Sequence, residues 1–303
     1  MFFSAVNRIL RQNIVAIARS QGLRTDTEVI DAIVGHLESM SEEWRSGEKP
    51  NITYHDPLCR WAYMFRHVPV QANLFRRVIE QCDAYSPQFR NKLRRDELSM
   101  VIFGGGPGTE LLGLAKYYLK RAGDGDHAQT DFEIDVIDEV VAWTENVSWI
   151  KNQIYRMYAE QFGERRGAWP ARFNTNAYTL KFSDLEAFGN LTSIFKRDVF
   201  VLNYVISEVY NLPEVSHLLR KMVSGCPDDA QFLFVDRSDP KTTAKVDELV
   251  TNLKLEVQLQ DVTIDNMDGD EEKSELQEIS DLLGGQQPRL TWNAKWVLGA
   301  KPN

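Results

Sequence analysis

The chain has 303 residues, of which 43% are hydrophobic and 26% are charged, and its formal net charge is −9. This length fits one large α/β core with one further region, and no stretch approaches the roughly 20 apolar residues that span a bilayer. An acidic protein repels polyanions unless its basic residues cluster, so nucleic acid is not the default partner. Three isolated cysteines (Cys59, Cys82 and Cys226) predict reduced thiols, without disulfides or a metal site.

The first 25 residues contain four arginines and no acidic residue, and their apolar residues recur at helical spacing. One interpretation is an amphipathic helix that packs on the body of the protein, which goes with a cytoplasmic location. The alternative is a mitochondrial transit peptide. The regular helical period favours the first interpretation.

Residues 1–97 show helical patterns and no strand signal, so we expect an N-terminal helical region that caps the protein or recruits substrate. Gly22 ends the first helix, and a capping box at residues 25–28 begins the second. Asp56, followed by proline, begins a third helix, which Pro69 is expected to bend or restart.

Residues 98–303 change to short apolar runs that alternate with helical segments, which is typical of βαβ units. The expected fold class is α/β, with a seven-stranded, mostly parallel sheet and helices on both faces. The predicted strands are Met100–Phe103, Ile134–Ile137, Arg172–Thr175, Val199–Leu202, Phe232–Val235, Leu255–Val262 and Trp292–Leu298. The predicted helices are Thr109–Lys120, Val140–Phe162, Pro213–Val223 and Lys241–Asn252. Two polar insertions, at 121–131 and 265–275, predict mobile loops.

A glycine-rich loop follows the first predicted strand and precedes a helix. Its residues are Gly104, Gly105, Gly106, Pro107, Gly108, Thr109 and Glu110. Glycines let the backbone turn sharply and approach a ligand, and the free N–H groups of the helix start favour a polar or anionic group. The spacing is G-x-G-x-G, whereas dinucleotide-binding enzymes use G-x-G-x-x-G, and Thr109 stands in the place of their third glycine. A nicotinamide-dependent oxidoreductase is therefore the weaker alternative.

The loop resembles motif I of the class I S-adenosylmethionine-dependent methyltransferases, in which it holds the methionine end of the cofactor. The resemblance covers about residues 98–300 and implies S-adenosylmethionine as cofactor. One departure is Ile102, because that family often has an acidic residue at this position, two places before the first glycine. Glu110 is a substitute anchor for the amino group of the cofactor, or else a surface acid that favours the helix dipole.

Asp138 ends the second predicted strand. An acidic side chain at this point can accept hydrogen bonds from both ribose hydroxyls, so we expect Asp138 to bind the ribose. The alternative is an acid that only caps the next helix. After the third strand, Ser183 and Asp184 occupy the place where the resembled family contacts adenine, although a surface turn explains them almost as well.

Several polar residues follow the fourth predicted strand, at the position of motif IV in the resembled family. Asn203 is a candidate for contact with the cofactor. Asn203, Tyr204 and Glu208 are weak candidates for catalysis, because that strand opens onto the sulfonium and the methyl acceptor. The tetrapeptide typical of enzymes that methylate amino groups of nucleic acids is absent.

The acceptor class stays open between protein, RNA and small molecule. RNA is possible through a basic cluster before the sheet region, where a solvated face is the commoner explanation of such charges. The cluster contains Arg76, Arg77, Arg90, Lys92, Arg94 and Arg95. The main alternative to an enzyme is a non-catalytic, methyltransferase-like scaffold or assembly factor, which the isoleucine at position 102 supports.

Overall fold

The structure is a computed structural model that describes residues 1–45, 52–123, 131–163, 173–181, 184–208, 212–267 and 273–302. Among these residues, no helix is both long and apolar enough to cross a membrane.

In the described part of the chain, four helices precede the sheet: α1 (Phe2–Gln21), α2 (Asp26–Arg45), α3 (Pro57–Tyr85) and α4 (Pro87–Leu93). Helix α1 ends at Gly22, whose φ of 69° is the left-handed conformation that glycine adopts freely. The side chain of Asp56 caps α3 by accepting from the backbone N–H of Leu58 at 2.8 Å. These helix ends agree with the sequence prediction.

The seven strands are β1 (Glu97–Phe103), β2 (Asp131–Asp138), β3 (Phe173–Thr179), β4 (Val199–Asn203), β5 (Gln231–Asp236), β6 (Glu256–Asn266) and β7 (Thr291–Ala300). They form one sheet in the order β3-β2-β1-β4-β5-β7-β6. The first five strands are parallel, and β7 runs antiparallel to both β5 and β6. The predicted seven-stranded, mostly parallel sheet is confirmed.

The remaining helices are α5 (Thr109–Gly123), α6 (Trp143–Phe162), α7 (Leu185–Asn190), α8 (Leu212–Gly225), α9 (Pro240–Asn252) and α10 (Lys273–Leu282), with a short 3-10 helix at Thr192–Lys196. Apolar side chains alternate between the two faces along the strands, so each face has its own core. Helices α1, α2, α3, α5 and α6 share one core with strand residues such as Ile102 and Ile134. Helices α8 and α9 cover the opposite face, where Phe103 and Phe200 lie.

Some sequence predictions were wrong. Pro69 does not restart a helix, because α3 continues through it. A proline costs an interior hydrogen bond, but Val68, Pro69 and Val70 are all buried, and this packing stabilises the helix. The polar insertion at 265–275 is shorter than predicted, since β6 extends to Asn266 and α10 begins at Lys273. The centres of both predicted loops lie outside the described residues.

Candidate functional site

The glycine loop lies where β1 and β4 meet, at the carboxyl ends of the parallel strands. Connections from β1 and β4 lead to strands on opposite sides, and such a switch point leaves a crevice in open α/β sheets. The N–H groups of Gly104 and Gly105 both donate to the carbonyl of Ile137, at 2.8 and 3.3 Å. The loop is thereby held against the end of β2.

Two of the loop glycines are required by their surroundings. Gly104 has a φ of +64°, and a Cβ added there would lie 2.1 Å from Cγ2 of Val205. A Cβ added to Gly105 would lie 2.6 Å from Cγ1 of Val136. Neither position accommodates a larger residue without movement of its neighbours, so the tight turn explains these glycines before any ligand is considered.

Asp138 fixes the loop from the adjacent strand. Its Oδ2 accepts from the N–H of Gly106 at 2.9 Å, and its Oδ1 accepts from the N–H of Val140 at 2.9 Å. Burial raises the pKa of Asp138 to about 6, although these two backbone donors act in the opposite direction. The carboxylate lies beside the loop, and a carboxylate has about four acceptor positions, so it can take a further donor.

Glu110 is buried although it lies in the first turn of α5. Its Oε1 accepts a hydrogen bond from Nδ2 of Asn203 at the end of β4. Burial raises the pKa of Glu110 to about 7, and the hydrogen bond from Asn203 opposes that rise. Two acceptor atoms of this pair, Oε2 of Glu110 and Oδ1 of Asn203, are buried without a hydrogen-bond partner among the described residues.

The position of Glu110 bears on the missing acid at Ile102. A Cβ built on Gly105 would lie 3.8 Å from Oε2 of Glu110, so the carboxyl lies close behind the glycine loop. Ile102 is fully buried and belongs to the core. Of the two explanations that the sequence allowed for Glu110, the exposed surface acid is wrong, because the residue is only 2% exposed.

An aromatic group covers the glycine loop, and sequence patterns did not single it out. Trp143, at the start of α6, has its Nε1 3.9 Å from a Cβ built on Gly106. Tyr54 and Tyr63 contact the Trp143 ring, with centroids 5.1 and 5.5 Å away. The N-terminal helical region therefore reaches the site through Tyr63 of α3. Isolated aromatic residues in a helix give no signal that separates this role from ordinary core packing.

The row of rings continues from Tyr63 toward β7. His67 lies 4.9 Å from Tyr63 and 5.4 Å from Trp292, measured between ring centroids. Trp292 in turn meets Tyr204 edge-on at 5.4 Å. Tyr204 has a φ of 55°, a conformation that is uncommon for a residue with a Cβ and that marks the turn after β4.

The candidate catalytic residues differ in exposure and chemistry. Burial raises the pKa of Tyr204 well above its ordinary value, and its hydroxyl donates to the carbonyl of Asn293 at 3.4 Å. A tyrosine with a raised pKa is a poor base near neutral pH. Glu208 is exposed. Its charge contributes to the raised pKa values of Tyr54 and Tyr63, so it lies near the aromatic rings that cover the glycine loop, called here the aromatic cover.

The proposed adenine contacts lie at the start of α7. Asp184 is exposed, and its Oδ1 accepts from the N–H of Ala187 at 2.9 Å, as an N-cap residue does. Ser183 lies outside the described residues. Contact with adenine therefore stays a prediction for both.

Most residues of the basic cluster pair with neighbouring acids. Lys92 is 2% exposed and pairs with Asp198 and Asp229, at 3.2 and 2.9 Å. Arg95 pairs with the same two carboxylates. The other four contact nearby acids or carbonyls: Arg76 with Glu80, Arg77 with Ile264, and Arg90 and Arg94 with Asp83. RNA binding through these residues stays a prediction, and the pairing weakens the field that it requires.

No model of a protein family and no curated protein matches the sequence. Three methyltransferases are among the solved structures that resemble the chain. A putative O-methyltransferase from Nostoc punctiforme PCC 73102 is 9% identical, with a TM-score of 0.41, over 89% of this chain and 69% of its own. The plantazolicin methyltransferase, in complex with SAH, is 13% identical, with a TM-score of 0.41, over 91% and 99%. N-methyltransferase NodS from Bradyrhizobium japonicum WM9, in complex with S-adenosyl-L-homocysteine (SAH), is 11% identical, with a TM-score of 0.39, over 76% and 100%.

Proposed function

We propose that the chain is an S-adenosylmethionine-dependent methyltransferase. The observation that carries the proposal is the pair of buried acceptors, Oε2 of Glu110 and Oδ1 of Asn203, behind the glycine loop. Buried polar atoms are rarely left without a partner, because desolvation then costs about 1–3 kcal/mol. An ammonium group has three donors and no acceptor, so the amino group of the cofactor's methionine end would satisfy both atoms. Glu110 thus takes the part of the acid that is missing at Ile102.

The other candidate residues fit the remaining parts of the cofactor. The loop from Gly104 to Gly108, with Pro107 inside it, brings backbone close to the ligand. Asp138 is held by backbone donors from Gly106 and Val140, which would orient its free lone pairs toward the ribose hydroxyls. Ser183 and Asp184 remain the candidates for the adenine end.

The bound cofactor would supply a methyl group on a positively charged sulfur, which a lone pair of the acceptor can attack in line. The protein then has to align the two reactants and keep water out. Tyr63 and Trp143 cover the loop and would exclude water from it. Tyr204 can orient an acceptor through its ring or hydroxyl. Glu208 is the candidate to receive a proton, because it is an exposed carboxylate near the aromatic cover.

Calorimetric titration with SAH tests the cofactor assignment. We expect saturable binding by the wild-type protein and none by Gly106→Arg, whose side chain would enter the space between Trp143 and Asp138. Gly163→Arg is a matched control, because nothing lies within 4 Å of a Cβ built at that site, where φ is also positive. Binding of NADH in place of SAH would favour the oxidoreductase alternative. No heat with SAH would refute the proposal.

Transfer of labelled methyl groups into a fractionated cell extract tests the activity separately. We expect label from S-adenosylmethionine to appear in one fraction, as protein, RNA or small molecule, and to be lost with Gly106→Arg. SAH binding without any transfer would favour the non-catalytic scaffold instead.

A further inference from the structure

Three arginines come together at the end of the aromatic row that lies away from the glycine loop. Arg66 belongs to α3, Arg237 follows β5, and Arg289 precedes β7. The backbone N–H of Arg289 donates to the carbonyl of Arg66 at 3.1 Å, which places these two residues side by side. Arg237 is positioned by Asp236, whose carboxylate accepts the N–H of Arg237 at 2.8 Å. Three separate segments of the chain thus contribute to one group of arginines, called here the arginine cluster.

The three positive charges act on one another. Burial lowers the pKa of Arg289, and the charges of Arg66 and Arg237 lower it further. Burial, together with the charges of the same three arginines, holds the pKa of His67 well below its ordinary value, so the histidine stays neutral and adds no further positive charge. Like charges at close range destabilise a folded protein. A bound anion between the arginines would relieve this repulsion.

Arg289 is also oriented by an aromatic surface. Its guanidinium carbon lies 4.0 Å from the centroid of the Trp292 ring, and its Nε donates to the carbonyl of Thr291 at 3.3 Å. A guanidinium fixed in this way keeps its terminal N–H groups for a planar or tetrahedral anion, which it binds through two parallel hydrogen bonds. Arg237 and Arg289 are exposed, so a ligand can reach them from solvent.

The arginine cluster is connected to the proposed methyl-transfer site. Trp292, against which Arg289 lies, contacts both His67 and Tyr204. Tyr204 follows Asn203, and His67 contacts Tyr63 of the cover over the loop. A row of contacting rings thus joins the arginines to the proposed methyl-transfer site.

We propose that Arg289, with Arg66 and Arg237, binds an anionic group of the methyl acceptor, a carboxylate or a phosphate, while the Trp292 side of the row contacts the part of the molecule beside it. That the anion belongs to a methyl acceptor rests on the proposed function, whereas binding of an anion at these arginines does not. The acceptor would then be a small acidic molecule.

Titration calorimetry with three ring-bearing probes tests the site: phenyl phosphate, benzoate and phenol. Each is titrated into the 303-residue protein with and without saturating SAH. We expect phenyl phosphate, benzoate or both to bind the wild-type protein, and phenol, which has a similar ring and no charge at neutral pH, not to bind. The two anions distinguish a phosphate site from a carboxylate site.

Charge-removing variants assign the binding to the cluster. Arg289→Gln and Arg237→Gln should each weaken the anion at least about tenfold, which is the size of a lost charge-assisted hydrogen bond. Arg289→Lys keeps the charge without the planar fork and should fall between wild type and Arg289→Gln. The control is Arg156→Gln, which removes an equal charge from an exposed position on α6. Thermal melts establish that every variant is folded.

Three results would overturn the inference: no binding of either anion, equal binding by Arg289→Gln and Arg237→Gln, or an equal loss in Arg156→Gln. The proposed function fails in a different way, because it predicts that all these variants bind SAH as the wild type does. Anion binding without SAH binding would leave the arginine site and remove the methyltransferase assignment. SAH binding without anion binding would remove the arginine site and leave the methyltransferase assignment.

Discussion

Glu110 combines a position on a helix with an environment that the sequence does not reveal. An acid in the first turn of a helix is ordinarily stabilised by the helix dipole while it stays in water. Here the side chain lies in the interior, against Asn203 and behind Gly105. The residue type and position were predictable, but the direction of the side chain depends on β4, which is 93 residues away in the chain.

The first prediction concerns cofactor affinity in Glu110→Gln. The amide replaces one acceptor oxygen with a donor that faces the proposed ammonium group, so we expect SAH to bind at least about tenfold more weakly, since hydrogen bonds to charged groups contribute about 1.5–3 kcal/mol. The pKa of about 7 also predicts that affinity in the wild type increases as the pH rises through 7, because the carboxylate form is required. Calorimetry at several pH values measures both effects.

In the variant, the pH dependence that remains should belong to Asp138, whose pKa is about 6, and lie correspondingly lower. Glu248→Gln on the exposed side of α9 is the control and should behave as the wild type does. An unchanged affinity and an unchanged pH profile in Glu110→Gln would contradict the assignment of this residue to the amino group.

The same substitution has an opposite effect on folding. A carboxyl whose pKa is higher in the folded state than in the unfolded chain loses its proton more readily when unfolded, so stability falls as the pH rises from about 4.5 to about 7. Glutamine does not ionise and has no such loss. We therefore expect the free energy of unfolding of Glu110→Gln, relative to that of the wild type, to be higher at pH 8 than at pH 5. Urea denaturation at the two pH values measures the difference. The same difference at both would contradict the prediction.

At the scale of elements, apolar runs and glycine punctuation predicted all seven strands and four of the helices between them, α5, α6, α8 and α9. Local patterns succeeded best for β1, β4 and β5, because these strands are buried on both faces and read as continuous apolar runs. They missed α4 and α10, which are short, and they gave no sign that β7 enters the sheet antiparallel between β5 and β6. Pairing between distant segments is a property of the whole chain.

The close contact between α3 and α5 positions α3, which carries Tyr63 of the aromatic residues over the glycine loop. A Cβ on Gly113 of α5 would lie 2.5 Å from the carbonyl oxygen of Ala72 and 3.2 Å from Cδ1 of Phe75, both in α3. Glycine therefore lets the two helices approach closely. This contact holds α3, and with it Tyr63, over the glycine loop.

We expect Gly113→Ala to destabilise the protein by about 1–3 kcal/mol, because a helix backbone must move to admit the methyl group. The gain of about 1 kcal/mol in helix propensity only partly offsets this cost. Gly35→Ala in α2 is the matched control, since nothing lies within 4 Å of its Cβ, and it should stabilise slightly. Urea denaturation measures both. Equal shifts in the two variants would show that the crossing tolerates a side chain.

At the scale of the whole molecule, the N-terminal helices and one face of the sheet share a core. Phe75 and Ile79 of α3 belong to the same buried cluster as Met100 and Ile102 of β1. Ion pairs add connections between distant parts, such as Arg8 of α1 with Glu160 of α6 at 2.6 Å. The boundary predicted at residues 97 and 98 therefore separates two regions of sequence that are packed against each other.

This shared core predicts that the fragment 98–303 does not fold alone. Removal of residues 1–97 would expose the apolar face that α3 covers, and the burial of apolar surface is the main source of folding free energy. We expect the fragment to show no cooperative urea transition by circular dichroism, whereas the full chain shows one. A cooperative transition in the fragment would establish an independent domain.

The place of β7 has a consequence for how the protein is made. It is the last of the seven strands to be synthesised, yet it lies inside the sheet, hydrogen-bonded to β5 on one side and β6 on the other. Until it emerges from the ribosome, β6 has no neighbour in the sheet and β5 has an open edge, which is a template for unwanted pairing with other chains. Because Trp292 belongs to this strand, the end of the aromatic row forms only when the sheet closes, so a nascent chain could assemble the glycine loop before it could recognise an acceptor.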